Sequence, residues 1–132
     1  MNAMAELHVD VELRAGSRLG VGEDLILDHP WTDGGVSVET DGTGAHLLLV
    51  SVGVCVLNDV YREASPGIQV DGVLVRVSGD FDAGTWSRAT VAYDVEIDSP
   101  EDGATLESLL DRVDAAAEIP QVVRGEVTVS RR

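Results

Sequence analysis

The chain reads as an α+β domain on three observations. Residues 7–13 and 89–97 alternate apolar and polar side chains with the period of two that a half-buried strand requires. Beyond residue 99, Leu106, Leu109, Leu110, Val113, Ala116 and Ala117 fall at helical spacing, one apolar stripe on an otherwise polar helix. Hydrophobic residues make up 44% of the 132 positions but aromatics only 4%, so the core must be Val, Leu, Ile and Ala, a composition that leans towards sheet. The length suits a single domain, 1–132, with no internal repeat, low-complexity tract or linker.

Taken in order, Leu7, Val9, Val11 and Leu13 predict the first strand, with His8, Asp10 and Glu12 facing outward. A turn over 14–20 leads to a second strand over 24–28, the two forming a hairpin. A loop rich in Gly and Asp then runs from His29 to Gly44, and loops of this length are often functional. After Pro66-Gly67, residues 68–70 resume strand alternation, and Asp71-Gly72 marks a bulge before Val73, Val75 and Val77. Residues 89–97 complete a long hairpin through the connection 79–84. Ser99 caps the amphipathic helix, Pro100 takes its first position, and Glu101 and Asp102 complement its dipole. Pro120 stops that helix, and 123–129 closes the domain as a strand.

Residues 46–60 read two ways. Val50, Val52, Val54 and Val56 alternate like a buried strand, whereas some fifteen residues without a breaker exceed a usual strand of about 5–6 and suit a helix buried on every side.

Charge narrows the function classes. Twenty-four acidic residues stand against nine arginines and no lysine, a formal net charge of −15 that repels nucleic acid and anionic membranes. The acid excess reads as a solubilising surface. The amino terminus lacks the basic and apolar regions of a signal peptide, and no continuous apolar run reaches the roughly 18 residues that span a bilayer. The expectation is a cytoplasmic protein, and a single unpaired cysteine, Cys55, accords with a reducing compartment. His8, His29 and His46 show no metal-site spacing and one cysteine cannot supply a zinc cluster, so neither metal nor cofactor is expected.

Three segments carry a resemblance: Leu47-Leu-Leu-Val-Ser-Val-Gly-Val-Cys55, Gly67-Ile-Gln-Val-Asp-Gly-Val-Leu-Val75 and Ala116-Ala-Glu-Ile-Pro120. The first looks like the "LLLAALGAC" of the OsmC/Ohr family, named for osmotic induction and organic hydroperoxide resistance, and the order of elements is similar over nearly the whole chain. The resemblance decides 46–60 in favour of a helix. It implies an OsmC-like fold, with curved antiparallel sheets packed on a long buried central helix, two chains intertwined as a homodimer and the thiol at their interface. It also implies a thiol peroxidase in which one cysteine attacks an organic hydroperoxide and a second resolves the sulfenic acid.

Cys55 falls at the attacking position. Ile119, before Pro120, stands where a resolving cysteine is usual, so an external thiol reductant is expected. Gly44-Ala45 replaces the family's Pro-Glu pair. The arginine that partners that glutamate matches Arg14 or Arg18, with Arg14 slightly favoured. His46 is a candidate for substrate positioning or proton transfer, and Trp31 for lining an apolar pocket; capping and packing are the plainer roles for both.

On a helix Cys55 shares its face with Ser51, Asn58, Asp59 and Arg62. Asp59 lies about 6 Å along the axis and Arg62 about 10 Å at ~1.5 Å per residue, so the nearer charge opposes thiolate formation. Two functions follow: a divergent peroxidase acting through Cys55, or a non-catalytic OsmC-fold dimer binding a small hydrophobic ligand at its interface, with Cys55 a core hydrophobe.

Overall fold

The computed structural model describes residues 6–22, 25–125 and 128–131. Its elements run β1 (Glu6–Gly16), β2 (Leu25–Leu27), β3 (Val36–Glu39), α1 (Gly44–Ala64), β4 (Gly72–Asp82), β5 (Ala89–Asp98), α2 (Gly103–Ala116) and α3 (Glu118–Arg124). Among the described residues the strands form one antiparallel sheet, ordered β2-β3-β1-β4-β5. The α+β class expected from the pattern is the class observed.

Alternation explains how the sheet positions α1. Val9, Val11, Leu13 and Ala15 of β1 and Val73, Val75 and Val77 of β4 are buried on one face, in the same core as Leu49, Val52, Val56, Leu57 and Val60 of α1. Side chains at the intervening positions, among them Asp10, Glu12, Arg14 and Arg76, form a charged opposite face. Each fully buried Leu or Val contributes on the order of 1.5–3 kcal/mol. Helix and sheet approach closely at Gly53, where a Cβ would collide with Leu13 and press on Val77.

The residues 46–60 are helical, within a 21-residue α1 whose cap is Thr43, its side chain accepting from the His46 N–H at 3.2 Å. By length and composition α1 also reaches what a membrane span requires, with a mean hydropathy of 1.5 over its best window. Counting uninterrupted runs hid this, because Ser51 and Gly53 break them. Here α1 lies against β1 and β4 as a core helix.

Several expectations need correction. β1 and β2 do not form a hairpin: β2 pairs with β3, and β3, inside the expected loop, pairs with β1 through Leu13↔Val38 and Ala15↔Val36. Four residues between Gly35 and Thr40 are too short a pattern to stand out, yet Val36 and Val38 are buried and win the place beside β1. No bulge occurs at Asp71-Gly72. The β1–β4 ladder is unbroken from Glu6↔Asp82 to Gly16↔Gly72, and residues 68–70 lie outside it. Gly16, at φ 62, meets Asp71 so closely there that a Cβ would strike its carbonyl oxygen.

The cap of α2 is Asp102, accepting from Thr105 N–H at 2.8 Å, and not Ser99, which donates to the Gln69 carbonyl at 2.6 Å and holds the approach to the helix. Nor does Pro120 stop a helix. α2 ends at Ala116, and Pro120 lies in the first turn of α3, where its missing N–H has no intrahelical partner to lose. The expected strand 123–129 is therefore absent over its described part: Val123 is in α3 and 128–129 belong to no strand, while 126–127 lie outside the described residues. Asp24 of the second expected strand also lies outside them.

Candidate functional site

Cys55, midway along α1, is partly buried and lines an open groove of about 480 Å³. Ser51, Val54 and Asn58 of α1 share its floor, His29 and Pro30 form one wall and Ile119 of α3 the other. Period and spacing foresaw Ser51 and Asn58 on the cysteine face. The His29 wall is anchored, its Nε2 3.2 Å from Asn58 Oδ1 and its Nδ1 2.9 Å from Thr32 Oγ1. Its ring also packs edge-on against Tyr61, with centroids 5.8 Å apart.

A carboxylate that sequence reasoning missed meets the sulfur. Cys55 Sγ donates to Glu118 Oε2 at 3.7 Å, and Glu118 Oε1 accepts from Arg62 Nη1 at 3.1 Å. Arg62 Nη2 is 3.0 Å from Oδ2 of Asp59, whose side chain is fully buried. Asp59 Oδ1 accepts from Asn58 Nδ2 at 3.3 Å, while its Oδ2 has the ion pair but no hydrogen bond among the described residues. The only clue to Glu118 in the sequence was its place beside Ile119, and a contact spanning 63 positions has no periodicity to announce it.

The electrostatics match the sign expected from Asp59. Burial is the main cause that pushes the Cys55 thiol up; the Ile119 N–H is the largest opposing influence, and the charges of Asp59 and Glu118 raise it while the Glu118 N–H lowers it. Cys55 therefore holds its proton at neutral pH. Burial also raises Asp59, against Asn58 and Arg62. Glu118 is held low by its own backbone N–H and by Arg62.

The other candidates lie elsewhere within the chain. Arg14 donates to Glu12 at 2.8 Å, and Arg18 to Asp98 at 2.8 Å. Both sit with the charged groups of the outer sheet face, because alternation turns Arg14 away from Leu13, Ala15 and α1, so neither reaches Cys55 in its own chain. His46 belongs to the cap of α1, its Nδ1 2.6 Å from Thr43 Oγ1. It lies nine positions before Cys55 on the helix, about 13.5 Å along the axis at ~1.5 Å per residue. It borders a different depression, with Asp10, Glu39 and Asp41. Pro30 lines the thiol groove, whereas its neighbour Trp31 is 44% exposed and does not.

Cys55, Asp59 and Glu118 also bring a thiol and two carboxylates within 4.8 Å of one another, donor types that a divalent ion accepts. Arg62 already bridges both carboxylates, so an ion would have to displace a guanidinium.

Among the described residues, a single antiparallel sheet, three helices and one thiol on the long core helix define an α+β protein with a cysteine-centred groove. A solved structure shares this architecture: an OsmC-like hydroperoxide resistance protein from Jannaschia sp. CCS1, with a TM-score of 0.64 and 16% identity over 95% of this chain and 91% of that one. At this identity the likeness shows the fold, which is OsmC-like. No family model and no curated protein matches the sequence.

Proposed function

We propose that the chain is a divergent OsmC/Ohr member, a thiol-dependent peroxidase that reduces an organic hydroperoxide at Cys55 and is returned to its resting state by an external thiol. One observation carries this reading: the chain's lone thiol sits on the core helix of an OsmC-like fold, in a groove lined by Pro30, Val54 and Ile119. The sulfur attacks the distal peroxide oxygen; an S–O bond forms, the O–O bond breaks, and the alcohol departs with the thiol proton, leaving a sulfenic acid. A donor thiol condenses with that acid and releases water, and a second displaces Cys55 as the donor disulfide forms.

The protein acts as a cytoplasmic homodimer needing no cofactor. In support of the dimer, α1 exposes 49% of Leu47, and Leu25, Ile26 and Trp31 are 52%, 50% and 44% exposed, apolar surface of the kind a second copy covers. Arg14, Arg18, His46 and Trp31 keep a role in this scheme only if a partner chain brings them to the groove.

A second reading, a non-catalytic dimer holding a small hydrophobic ligand, draws support from the thiol being pushed up by burial and two carboxylates. Cumene hydroperoxide consumption with several thiol donors separates the two. Wild type is expected to outpace Cys55→Ser at least tenfold. Equal rates would remove the peroxidase. Alkylation of Cys55 at pH 7 faster than that of a free thiol would count against the inert alternative.

A further inference from the structure

We infer that Glu118 is a catalytic residue of this site: its carboxylate, positioned by Arg62, carries the proton of Cys55 to the alkoxide released from the hydroperoxide. The inference rests on the peroxidase reading above and supplies the proton path that reading lacks.

Glu118 is the side chain that accepts from the sulfur, at 3.7 Å, and it does so from α3, a separate element. Its other oxygen is tied to Arg62 at 3.1 Å, and Arg62 is fixed in turn by buried Asp59 at 3.0 Å. The carboxylate thus has one oxygen held and one directed at the thiol. At 61% exposure it is open to solvent, and its chain neighbour Ile119 lines the groove beside Cys55.

The chemistry needs such a relay. A thiolate beside Asp59 and Glu118 is unfavourable, and a free alkoxide is a poor leaving group. Moving one proton avoids both. The S–H bond breaks towards Glu118 as the S–O bond forms; the O–O bond breaks as Glu118 gives that proton to the departing oxygen; sulfur is oxidised by two electrons, the peroxide reduced by two, and the carboxylate regenerated. Held low by its backbone N–H and Arg62, Glu118 begins the cycle ionised.

The charged groups close to the sulfur are Asp59 from α1 and Glu118 from α3, both paired with Arg62, with Asp28 and His29 along the groove wall. The test is the pH dependence of hydroperoxide turnover and of Cys55 alkylation in the full chain. Glu118→Gln keeps the size and an acceptor for Arg62. Its turnover at pH 7 is expected to fall about 100-fold. It should then climb roughly tenfold per pH unit towards pH 9 as hydroxide replaces the missing base, while its alkylation midpoint moves down because a negative charge has left. Arg62→Lys should retain more turnover than Arg62→Met. Turnover in Glu118→Gln equal to wild type, or reduced by one factor at every pH, overturns the inference. If wild type shows no Cys55-dependent turnover, the peroxidase reading has failed; the alkylation midpoint then decides alone, an unshifted value in Glu118→Gln overturning Glu118 as the proton partner and a downward shift supporting it.

Discussion

Two histidines show how local surroundings set opposite responses to pH. His8 bridges Asp80 and Asp10 at 2.7 and 3.0 Å across the β1–β4 pair, and the hydrogen bond to Asp80 leads in raising its affinity for a proton. His29, partly buried in the groove wall, is pushed down by desolvation, against its bond to Asn58. With an unfolded value of about 6.5, His8 stabilises the fold below that pH, and its contribution fades as pH rises through its higher folded value. His29 acts in reverse: stability present above about 6.5 is lost as pH falls towards its lower folded value. A proton NMR titration is expected to place the two midpoints on opposite sides of 6.5, and His8→Asn to leave the His29 curve in place. Coincident midpoints would show that neither set of contacts persists in solution.

At the scale of elements, the end of a helix is where a short string misleads. Ser99-Pro-Glu-Asp102 offers two capping residues three positions apart, and the geometry chooses the second. Asp102→Ala is expected to lower the midpoint of urea unfolding, as the loss of a helix cap does. Ser99→Ala should leave α2 intact and loosen only the Gln69 contact, and the opposite ranking would restore Ser99 as the cap. The alternation in β1 and β5 and the stripe of α2 were legible because each repeats several times on one face. α1 was ambiguous from its own residues, since its valines also alternate; the resemblance, not the periodicity, settled it. β3 hid in a tetrapeptide inside a loop rich in Gly and Asp, and α3 behind a proline that a first helical turn tolerates. The thiol was legible as the chain's single cysteine, whereas Glu118 was not, because pairing α3 with α1 is a product of tertiary packing.

For the whole molecule, charge and apolar surface pull association in opposite directions. Each chain carries a formal −15, so two copies repel, while Leu47, Leu25 and Ile26 present surface that association would cover. Salt screens the first effect over about 10 Å at 0.1 M and leaves the second. Light scattering is expected to give twice the chain mass of 14.0 kDa, more completely as sodium chloride rises. Leu47→Glu should return the single-chain mass at every ionic strength. Wild type remaining at 14.0 kDa throughout would remove the homodimer.

Ile119, flanking Cys55 across the groove, sets the order of any repair reaction. Whenever that sulfur takes up oxygen, its own polypeptide holds no second thiol to close a ring with it. Recovery is then a collision between molecules, paced by how crowded the surroundings are with sulfhydryl compounds, and the lifetime of the oxidised form becomes a gauge of that supply.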